Sequence, residues 1–259
     1  MRRSAARLGG LAGVAALFAL AASAPAQQRT SARELLSPEL RAMQDDDARN
    51  PGMLWVEQGA KLWQTPDGAA AKSCAGCHGD AAASMTGVAT RYPAVDRASG
   101  ALLNLELRIN RCRTEHMRAP PFDYESDALL GLTSFLAHQS RGLPMSVATD
   151  GPAAPFLAQG KALYLERQGQ LNVACFQCHD DNVGKRLRGD RISSGLATGY
   201  PAYRLDWQRS GSLHRRLRAC QLGVRAHQFE LGAPEYLALE LYLAARAAGL
   251  PIETPGVRK

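Results

Sequence analysis

The chain contains 259 residues, of which 46% are hydrophobic and 21% are charged, and its formal net charge is +7. This composition excludes a disordered or collagen-like chain and is sufficient for one or two folded domains. Beyond the N-terminus there is no run of about eighteen apolar residues, so the sequence predicts no membrane span in the mature chain.

The N-terminal segment has the pattern of a secretory signal. Three arginines within the first seven residues precede an apolar stretch that ends near residue 22 and is followed by Ala24-Pro25-Ala26. A basic start, a short apolar segment and small residues at a cleavage point are typical of a signal peptide. We predict one over residues 1–26; the alternative is an uncleaved anchor helix. Cleavage would lower the net charge from +7 to +4, and with no patch of basic and aromatic residues this predicts no nucleic-acid partner.

The rest of the chain contains the same series of landmarks twice. The first repeat has Gly59, Cys74-Ala-Gly-Cys77-His78, Tyr92-Pro93-Ala94, Cys112 and Leu143-Pro144, and the second has Gly160, Cys175-Phe-Gln-Cys178-His179, Tyr200-Pro201-Ala202, Cys220 and Leu250-Pro251. The offset is 101 at the glycine and the first cysteine but 108 at the proline and the lone cysteine, so one insertion of seven residues explains the change. Such self-similarity predicts two homologous domains, residues 27–150 with an N-terminal extension and residues 151–259.

Each repeat is predicted to be helical. Apolar residues at helical spacing predict a helix before the Cys-x-x-Cys-His motif, a helix that carries the lone cysteine, and a closing helix. The first and last of these are predicted at residues 55–63 and 127–138 in one repeat, and at 156–165 and 234–248 in the other. On the middle helices the apolar series is Leu102, Leu105, Ile109 and Cys112, and Leu213, Leu217 and Cys220. The predicted fold class is all-α.

Cys-x-x-Cys-His is the attachment motif of a c-type haem. Two thiols form thioethers with the porphyrin, and the adjacent histidine is placed to bind the iron. The motif predicts two covalently bound haem c groups, held by Cys74, Cys77 and His78, and by Cys175, Cys178 and His179. The alternatives are a redox dithiol, which needs no histidine, and a zinc site, which needs a fourth ligand.

The second axial ligand of each iron is predicted to be a cysteine. Methionine is a common choice in cytochromes c, but the second repeat contains none. Its candidates are His214, Cys220 and His227, and only Cys220 has an equivalent in the first repeat, Cys112. A shared scheme therefore pairs His78 with Cys112 and His179 with Cys220. A buried free cysteine, or a disulfide between Cys112 and Cys220, is the alternative.

An arginine precedes each lone cysteine by four residues, Arg108 in the first repeat and Arg216 in the second. Residues four apart share a helix face, so the guanidinium can stabilise a thiolate and bind an oxyanion. The second site is the more basic one, with Arg215, Arg216, Arg218 and Arg225 around Cys220. The pattern predicts anion chemistry at the second site, although a surface arginine is the ordinary alternative.

These motifs together resemble the SoxA family, the dihaem cytochrome subunits of SoxAX L-cysteine S-thiosulfotransferases. The resemblance covers nearly all of the mature chain. It is carried by Met43-Gln-Asp-Asp-Asp47, Asn50-Pro-Gly-Met-Leu-Trp55, Arg216-x-x-x-Cys220, Pro234-Glu-Tyr, Leu239-Glu-Leu-Tyr242 and Leu250-Pro-Ile-Glu-Thr-Pro255. Because both Cys-x-x-Cys-His motifs are present, the chain looks like the dihaem form.

The resemblance implies two tandem cytochrome c-like domains and a periplasmic enzyme that oxidatively couples thiosulfate to a cysteine of the SoxYZ carrier. It implies a heterodimer with a SoxX-type monohaem cytochrome, to which the electrons pass. The catalytic cysteine, which becomes a persulfide in the family, corresponds to Cys220. The substrate-binding arginines correspond to Arg216 and, by a weaker match, Arg246.

Three other functions share some of these features. A pure electron-transfer cytochrome would have the same haem motifs but no bond-forming chemistry. A thiosulfate dehydrogenase, which joins two thiosulfates into tetrathionate, also has two c haems and a cysteine ligand. A dihaem peroxidase needs an open distal position, which a cysteine at both sites disfavours.

Overall fold

The computed structural model describes residues 30–259, so the predicted signal peptide at residues 1–26 lies outside the described residues. Within residues 30–259, no helix is both long and apolar enough to cross a membrane. The helices are α1 Pro38–Asp45, α2 Met53–Gln64, α3 Cys74–His78, α4 Ala81–Ser84, α5 Leu105–Cys112, α6 Asp127–His138, α7 Ala154–Leu165, α8 Cys175–His179, α9 Leu213–Gly223 and α10 Pro234–Arg246. A π-helical turn, Arg113–Met117, continues α5.

The same helix pair forms the centre of each repeat. Helix α2 packs on α6 in the first repeat, and α7 packs on α10 in the second. Both crossings are at the glycine landmark: a Cβ on Gly59 would lie 2.1 Å from the Gly131 carbonyl oxygen, and one on Gly160 would lie 1.9 Å from that of Ala238. Glycine is therefore required at both positions because the helix backbones approach so closely.

Replacing Gly160 with alanine is expected to lower the free energy of unfolding by about 2 kcal/mol or more, because the helices must separate to admit the methyl group. Gly223→Ala is the matched control, since a Cβ at this helix position meets nothing within 4 Å, and it should change stability by less than about 1 kcal/mol. Urea unfolding of the two holoproteins measures the difference. Equal unfolding midpoints would show that the crossing tolerates a side chain.

The helix predictions agree with the structure at α6 and come within two residues at the start of α2 and α7 and at the end of α10. Leu102 is different, because it lies in a strand and not on the helix that carries Cys112. The Asn104 side chain accepts a hydrogen bond from the Leu107 amide at 3.1 Å and caps the helix. Helix α5 therefore begins at Leu105.

The prediction of a purely α-helical fold needs correction, because short strands connect the helices. They are β1 Ala94–Val95, β2 Leu102–Leu103, β3 Arg186–Leu187, β4 Asp190–Arg191, β5 Ala202–Arg204, β6 Arg209–Gly211 and β7 Gly256–Arg258. Strands β1 and β2 are antiparallel, and β5 pairs antiparallel with β6 and parallel with β7. These strands are only two or three residues long, too short for a periodic pattern to reveal them.

The seven-residue insertion of the second repeat falls in the segment that forms the hairpin of β3 and β4. The two residues between the strands, Arg188 and Gly189, both have positive φ, 51° and 90°, as a tight two-residue hairpin requires. The segment after this hairpin returns to His179, so the insertion contributes to the surroundings of the second motif.

A buried polar cluster joins the two repeats. Glu106 of α5 is 6% exposed and faces Glu240 of α10, and Asn104 donates to the Glu240 carboxylate at 3.0 Å. Burial, together with the negative charge of Glu240, raises the pKa of Glu106 to about 8. The folded chain therefore holds a proton here that an exposed carboxyl would have released.

We expect this proton to make stability fall as pH rises. The ordinary carboxyl pKa is 4.5, so the contribution of Glu106 is complete below about pH 4.5 and is lost by about pH 8. Glu106→Gln should remove the pH dependence that this proton causes. The measurement is the free energy of unfolding of the variant and of the wild type between pH 5 and pH 8. The exposed Glu166→Gln variant should follow the wild type. A Glu106→Gln curve parallel to the wild-type curve would contradict the assignment.

Candidate functional site

The first Cys-x-x-Cys-His motif forms the short helix α3. Ser73 caps it, with its hydroxyl oxygen accepting from the Gly76 amide at 2.9 Å. The His78 ring stacks on Trp63 with ring centroids 5.8 Å apart, and Cys77 and His78 are exposed. The Trp63 indole donates to the Gly79 carbonyl at 3.1 Å, which holds the motif against α2.

The second motif forms α8 and is anchored more firmly. His179 Nδ1 lies 2.6 Å from the Ser193 carbonyl oxygen and donates to it, so Nε2 is the ring nitrogen left for the hydrogen bond with Cys220 or, in the holoprotein, for a metal. Gly195 has positive φ and approaches the same ring, because a Cβ there would lie 3.0 Å from it. The sequence showed no sign of this anchor, since a backbone carbonyl after the insertion provides it.

Each lone cysteine lies beside the thiols of its own motif. Burial first, and then the charge of Cys112, raise the pKa of Cys74. In the same way burial and the charge of Cys220 raise the pKa of Cys175 to about 11. All six cysteines are free, so the chain has no disulfide between Cys112 and Cys220.

The two lone cysteines differ in their electrostatic surroundings. Burial raises the pKa of Cys112. At Cys220 burial also acts to raise the pKa, but a hydrogen bond with His179 and the positive charge of Arg216 outweigh it, so the pKa of Cys220 is lowered. The second site therefore favours a thiolate, the form that binds metals and attacks sulfur.

The two other candidate ligands of the second repeat, His214 and His227, make contacts away from the Cys-x-x-Cys-His motif. His214 is fully buried, and its Nδ1 accepts from the Gly232 amide at 3.1 Å while its Nε2 lies 2.9 Å from the Glu240 carboxylate. His227 packs edge-on against Phe229, with ring centroids 5.2 Å apart. Of the three ligand candidates from the sequence, only Cys220 lies beside the Cys-x-x-Cys-His motif.

The two predicted substrate arginines lie in different surroundings. The charges of Arg216 and Cys220 act on each other, and the negative charge of Cys220 is the main cause that raises the pKa of Arg216. Arg246 instead donates to Asp180, and its guanidinium lies 4.4 Å from the Tyr164 ring centroid. The structure brings Arg216 to Cys220 and pairs Arg246 with Asp180 and Tyr164; a role of Arg246 in substrate binding stays a prediction.

The residues present at both motifs fit a covalently attached haem. Each set offers two adjacent thiols for thioether bonds, an imidazole next to them and a further thiol facing the same place. At the second motif the imidazole is in the tautomer that leaves Nε2 for iron. No group of three or more His, Cys, Asp or Glu residues among positions 30–259 is arranged as a metal-ion site.

One residue of the second site was missed from the sequence. Arg204 of β5 is buried, and its positive charge acts on both Arg216 and Cys220. Its position could have been recognised, because it is 108 residues after Asp96, the same offset that relates the prolines and lone cysteines of the two repeats.

Comparison with known proteins agrees with the internal repeat. The family model described as the SoxA/TsdA cytochrome c domain matches residues 58–145 and 159–252, once in each repeat. The L-cysteine S-thiosulfotransferase subunit SoxA of Pseudaminobacter salicylatoxidans is 44% identical over 222 residues, which cover 85% of this chain and 78% of that protein. The SoxA subunit of Rhodovulum sulfidophilum is 39% identical over 220 residues, with coverage of 85% and 77%.

A solved structure shares the fold as well. A chain of the crystal structure of SoxXA from P. pantotrophus superposes with a TM-score of 0.86 at 36% identity, covering 89% of this chain and 87% of that one. Relatives of this identity and coverage, found by sequence and by structure, establish a common family. The chain therefore belongs to the SoxA/TsdA cytochrome c domain family, in which it is a SoxA-type cytochrome subunit of an L-cysteine S-thiosulfotransferase.

Proposed function

We propose that the chain couples thiosulfate to a cysteine of a SoxYZ-type carrier, with Cys220 as the catalytic residue and Arg216 as a substrate-binding residue. The observation that carries this proposal is the environment of Cys220, a largely desolvated thiol whose pKa the positive charges of Arg216 and Arg204 act to lower. At Cys112 burial outweighs the charge of Arg108, which also acts to lower the pKa, so the pKa of that thiol is raised. The second repeat is therefore the proposed reaction site.

The reaction forms one sulfur–sulfur bond and releases two electrons. The carrier thiol loses its proton, and its sulfur becomes bonded to the outer sulfur of thiosulfate, giving a cysteine S-thiosulfonate. Guanidinium groups bind the dianion and stabilise negative charge as that bond develops. Cys220 provides a sulfur atom whose anionic form is favoured, as a residue that carries sulfur between partners requires.

Two haem c groups are proposed, one for each motif, because each repeat has a complete set of residues for attachment. His78 and Cys112 would bind one iron, and His179 and Cys220 would bind the other. Cys74 and Cys77 would hold one porphyrin, and Cys175 and Cys178 the other. A bound haem supplies an acceptor that takes one electron at a time.

The proposed partner is a SoxX-type monohaem cytochrome, forming a heterodimer that removes the electrons. Support comes from the superposed P. pantotrophus chain, which belongs to a crystal structure of SoxXA. The proposed location is the periplasm, supported by the signal-like residues 1–26. A periplasmic location suits haems that are attached through cysteine thiols, and it suits a carrier that reacts through its own cysteine.

Turnover with defined substrates tests this function against its alternatives. The purified complex is supplied with thiosulfate and an oxidised cytochrome acceptor, with and without the carrier. We expect the acceptor to be reduced only when the carrier is present. Each carrier molecule should gain one thiosulfonate group, measured as an increase in its mass. Tetrathionate formation without the carrier would make the chain a thiosulfate dehydrogenase, and reduction of added peroxide with electrons from a reduced cytochrome would make it a peroxidase. If no sulfur product forms although the chain still exchanges electrons with a cytochrome, the chain is a pure electron-transfer cytochrome.

A further inference from the structure

The two repeats carry opposite charges at one equivalent position. The segments Tyr92-Pro93-Ala94-Val95-Asp96 and Tyr200-Pro201-Ala202-Tyr203-Arg204 align at the offset of 108 that also relates Cys112 to Cys220 and Arg108 to Arg216. The acidic Asp96 of the first repeat thus corresponds to the basic Arg204 of the second. This exchange alters the charge at the equivalent position by two units.

In the first repeat the carboxylate neutralises the arginine beside the cysteine. Asp96 accepts from Arg108 Nη2 at 2.7 Å and from Arg111 Nη1 at 2.6 Å. Arg108 also donates to the Tyr92 hydroxyl at 3.2 Å. Hydrogen bonds from Ser99 and Arg108 hold the pKa of Asp96 well below its usual range, so the pair is internally complete and has no need of an external anion.

In the second repeat the corresponding arginines have no such partner. Arg204 is 8% exposed, its Nε is buried without a hydrogen-bond partner, and its guanidinium carbon lies 5.1 Å from the Trp207 ring centroid. Among residues 30–259, neither Arg204 nor Arg216 makes a hydrogen bond or an ion pair with any side chain. Tyr200, and after it Asp190 and Asp206, act on both arginines through charge interactions without a hydrogen bond. The Cys220 thiolate acts on Arg216, so Arg204 is the buried cation that lacks a partner, although buried cations are normally paired.

A second buried arginine nearby, Arg258, does have hydrogen-bond partners, so the lack of a partner is particular to Arg204. Arg258 of β7 is buried to the same degree, but Gln44 accepts from its Nη1 at 2.5 Å and Glu253 lies 3.4 Å from its Nη2. The fold therefore satisfies one buried guanidinium beside β5 and leaves the one at Arg204 unsatisfied. Burial lowers the pKa of Arg204, and the charge of Arg216 acts in the same direction, so the two cations lie close enough to repel.

We infer that Arg204 is a substrate-binding residue that, together with Arg216, holds the oxyanion of thiosulfate at Cys220, and that the Asp96/Arg204 exchange decides which repeat binds the anion. This inference rests on the proposed function of the second site. Two guanidinium groups provide forks of donors that match the oxygens of a sulfonate group. The first repeat has the same helix and the same arginine, yet its own carboxylate occupies that place.

The test measures binding without turnover. Equilibrium dialysis of radiolabelled thiosulfate against the oxidised holocomplex, with no carrier present, gives the Kd of the wild type and of Arg204→Gln, Arg204→Asp and Arg167→Gln. Arg204→Gln should weaken binding about tenfold or more, the loss expected for a charge-assisted hydrogen bond. Arg204→Asp, which introduces the residue of the first repeat, should weaken it about a hundredfold or more because the carboxylate pairs with Arg216. The exposed Arg167→Gln control should bind as the wild type does.

The outcomes separate this inference from the proposed function. If the wild type binds no thiosulfate, the proposed function fails. If the wild type binds and Arg204→Gln has the same Kd with its haem retained, the inference about Arg204 is overturned. An unchanged Kd accompanied by a shift in the reduction potential of the second haem would show that Arg204 binds a haem propionate instead, which also overturns it. If Arg204→Asp loses its haem, Arg204→Gln alone decides the question.

Discussion

Cys220→Ser is expected to abolish coupling of thiosulfate to the carrier, lowering the rate by about a thousandfold or more, while both haems remain attached. The variant removes the sulfur atom that is proposed to carry sulfur at the second site, and a serine hydroxyl cannot carry sulfur in its place. The haems should remain because their thioether bonds come from the two Cys-x-x-Cys-His motifs. The measurement is formation of the carrier thiosulfonate by mass, together with haem content for each purified variant.

Cys112→Ser is the matched comparison, because it removes the equivalent sulfur from the first repeat. Its surroundings raise the pKa of the thiol, whereas those of Cys220 lower it. We therefore expect Cys112→Ser to retain measurable coupling. Coupling by Cys220→Ser at the wild-type rate would remove Cys220 from the chemistry, and loss of coupling in Cys112→Ser alone would move the reaction to the first repeat.

Arg216→Ala is expected to lower kcat/KM for thiosulfate by about a hundredfold, the cost typical of removing one donor to a developing oxyanion. Arg216 lies one helical turn before Cys220, and each charge favours the ionised form of the other. The variant should therefore also raise the pKa of Cys220, which spectroscopic titration of the apo chain can follow through thiolate absorbance.

Arg218→Ala removes the same charge from the same helix and serves as the control. Arg218 donates to Gln228 at 3.4 Å and makes no ion pair with residues 30–259. Its kcat/KM should stay within about threefold of the wild type, since screened surface charges contribute little. If both variants lose activity equally, then general positive charge and not Arg216 attracts the substrate.

The sequence predicted the features that are encoded by contiguous residues or by repetition. Haem attachment depends on five adjacent residues, and the double occurrence of Cys-x-x-Cys-His at one offset makes both motifs recognisable in the linear chain. The middle helices followed from apolar spacing, although Leu102 was assigned to a helix because its spacing suited one. The Asn104 cap, a local side-chain contact, ends that series at Leu105.

The features that escaped prediction depend on contacts between distant residues. His179 is oriented by the Ser193 carbonyl, a backbone atom that no side-chain pattern reveals. The repeat already disfavoured His214 as an iron ligand, but its contacts with Gly232 and Glu240 were visible only in the structure. The repeat offset aligns Arg204 with Asp96, but its burial without a partner, which distinguishes it from a surface arginine, is visible only in the structure.

The central claim is that the sulfur of Cys220 is an axial ligand at the second haem and lies where the oxyanion binds. The most direct measurement is near-infrared magnetic circular dichroism of the oxidised Cys112→Met holocomplex, in which the first repeat no longer offers a thiolate. The account predicts the spectrum of a thiolate-ligated haem in this chain. This signal should disappear in the Cys112→Met/Cys220→Ser double variant and should change when thiosulfate is added. A spectrum with only nitrogen or methionine ligation, unaffected by replacing Cys220, would contradict it.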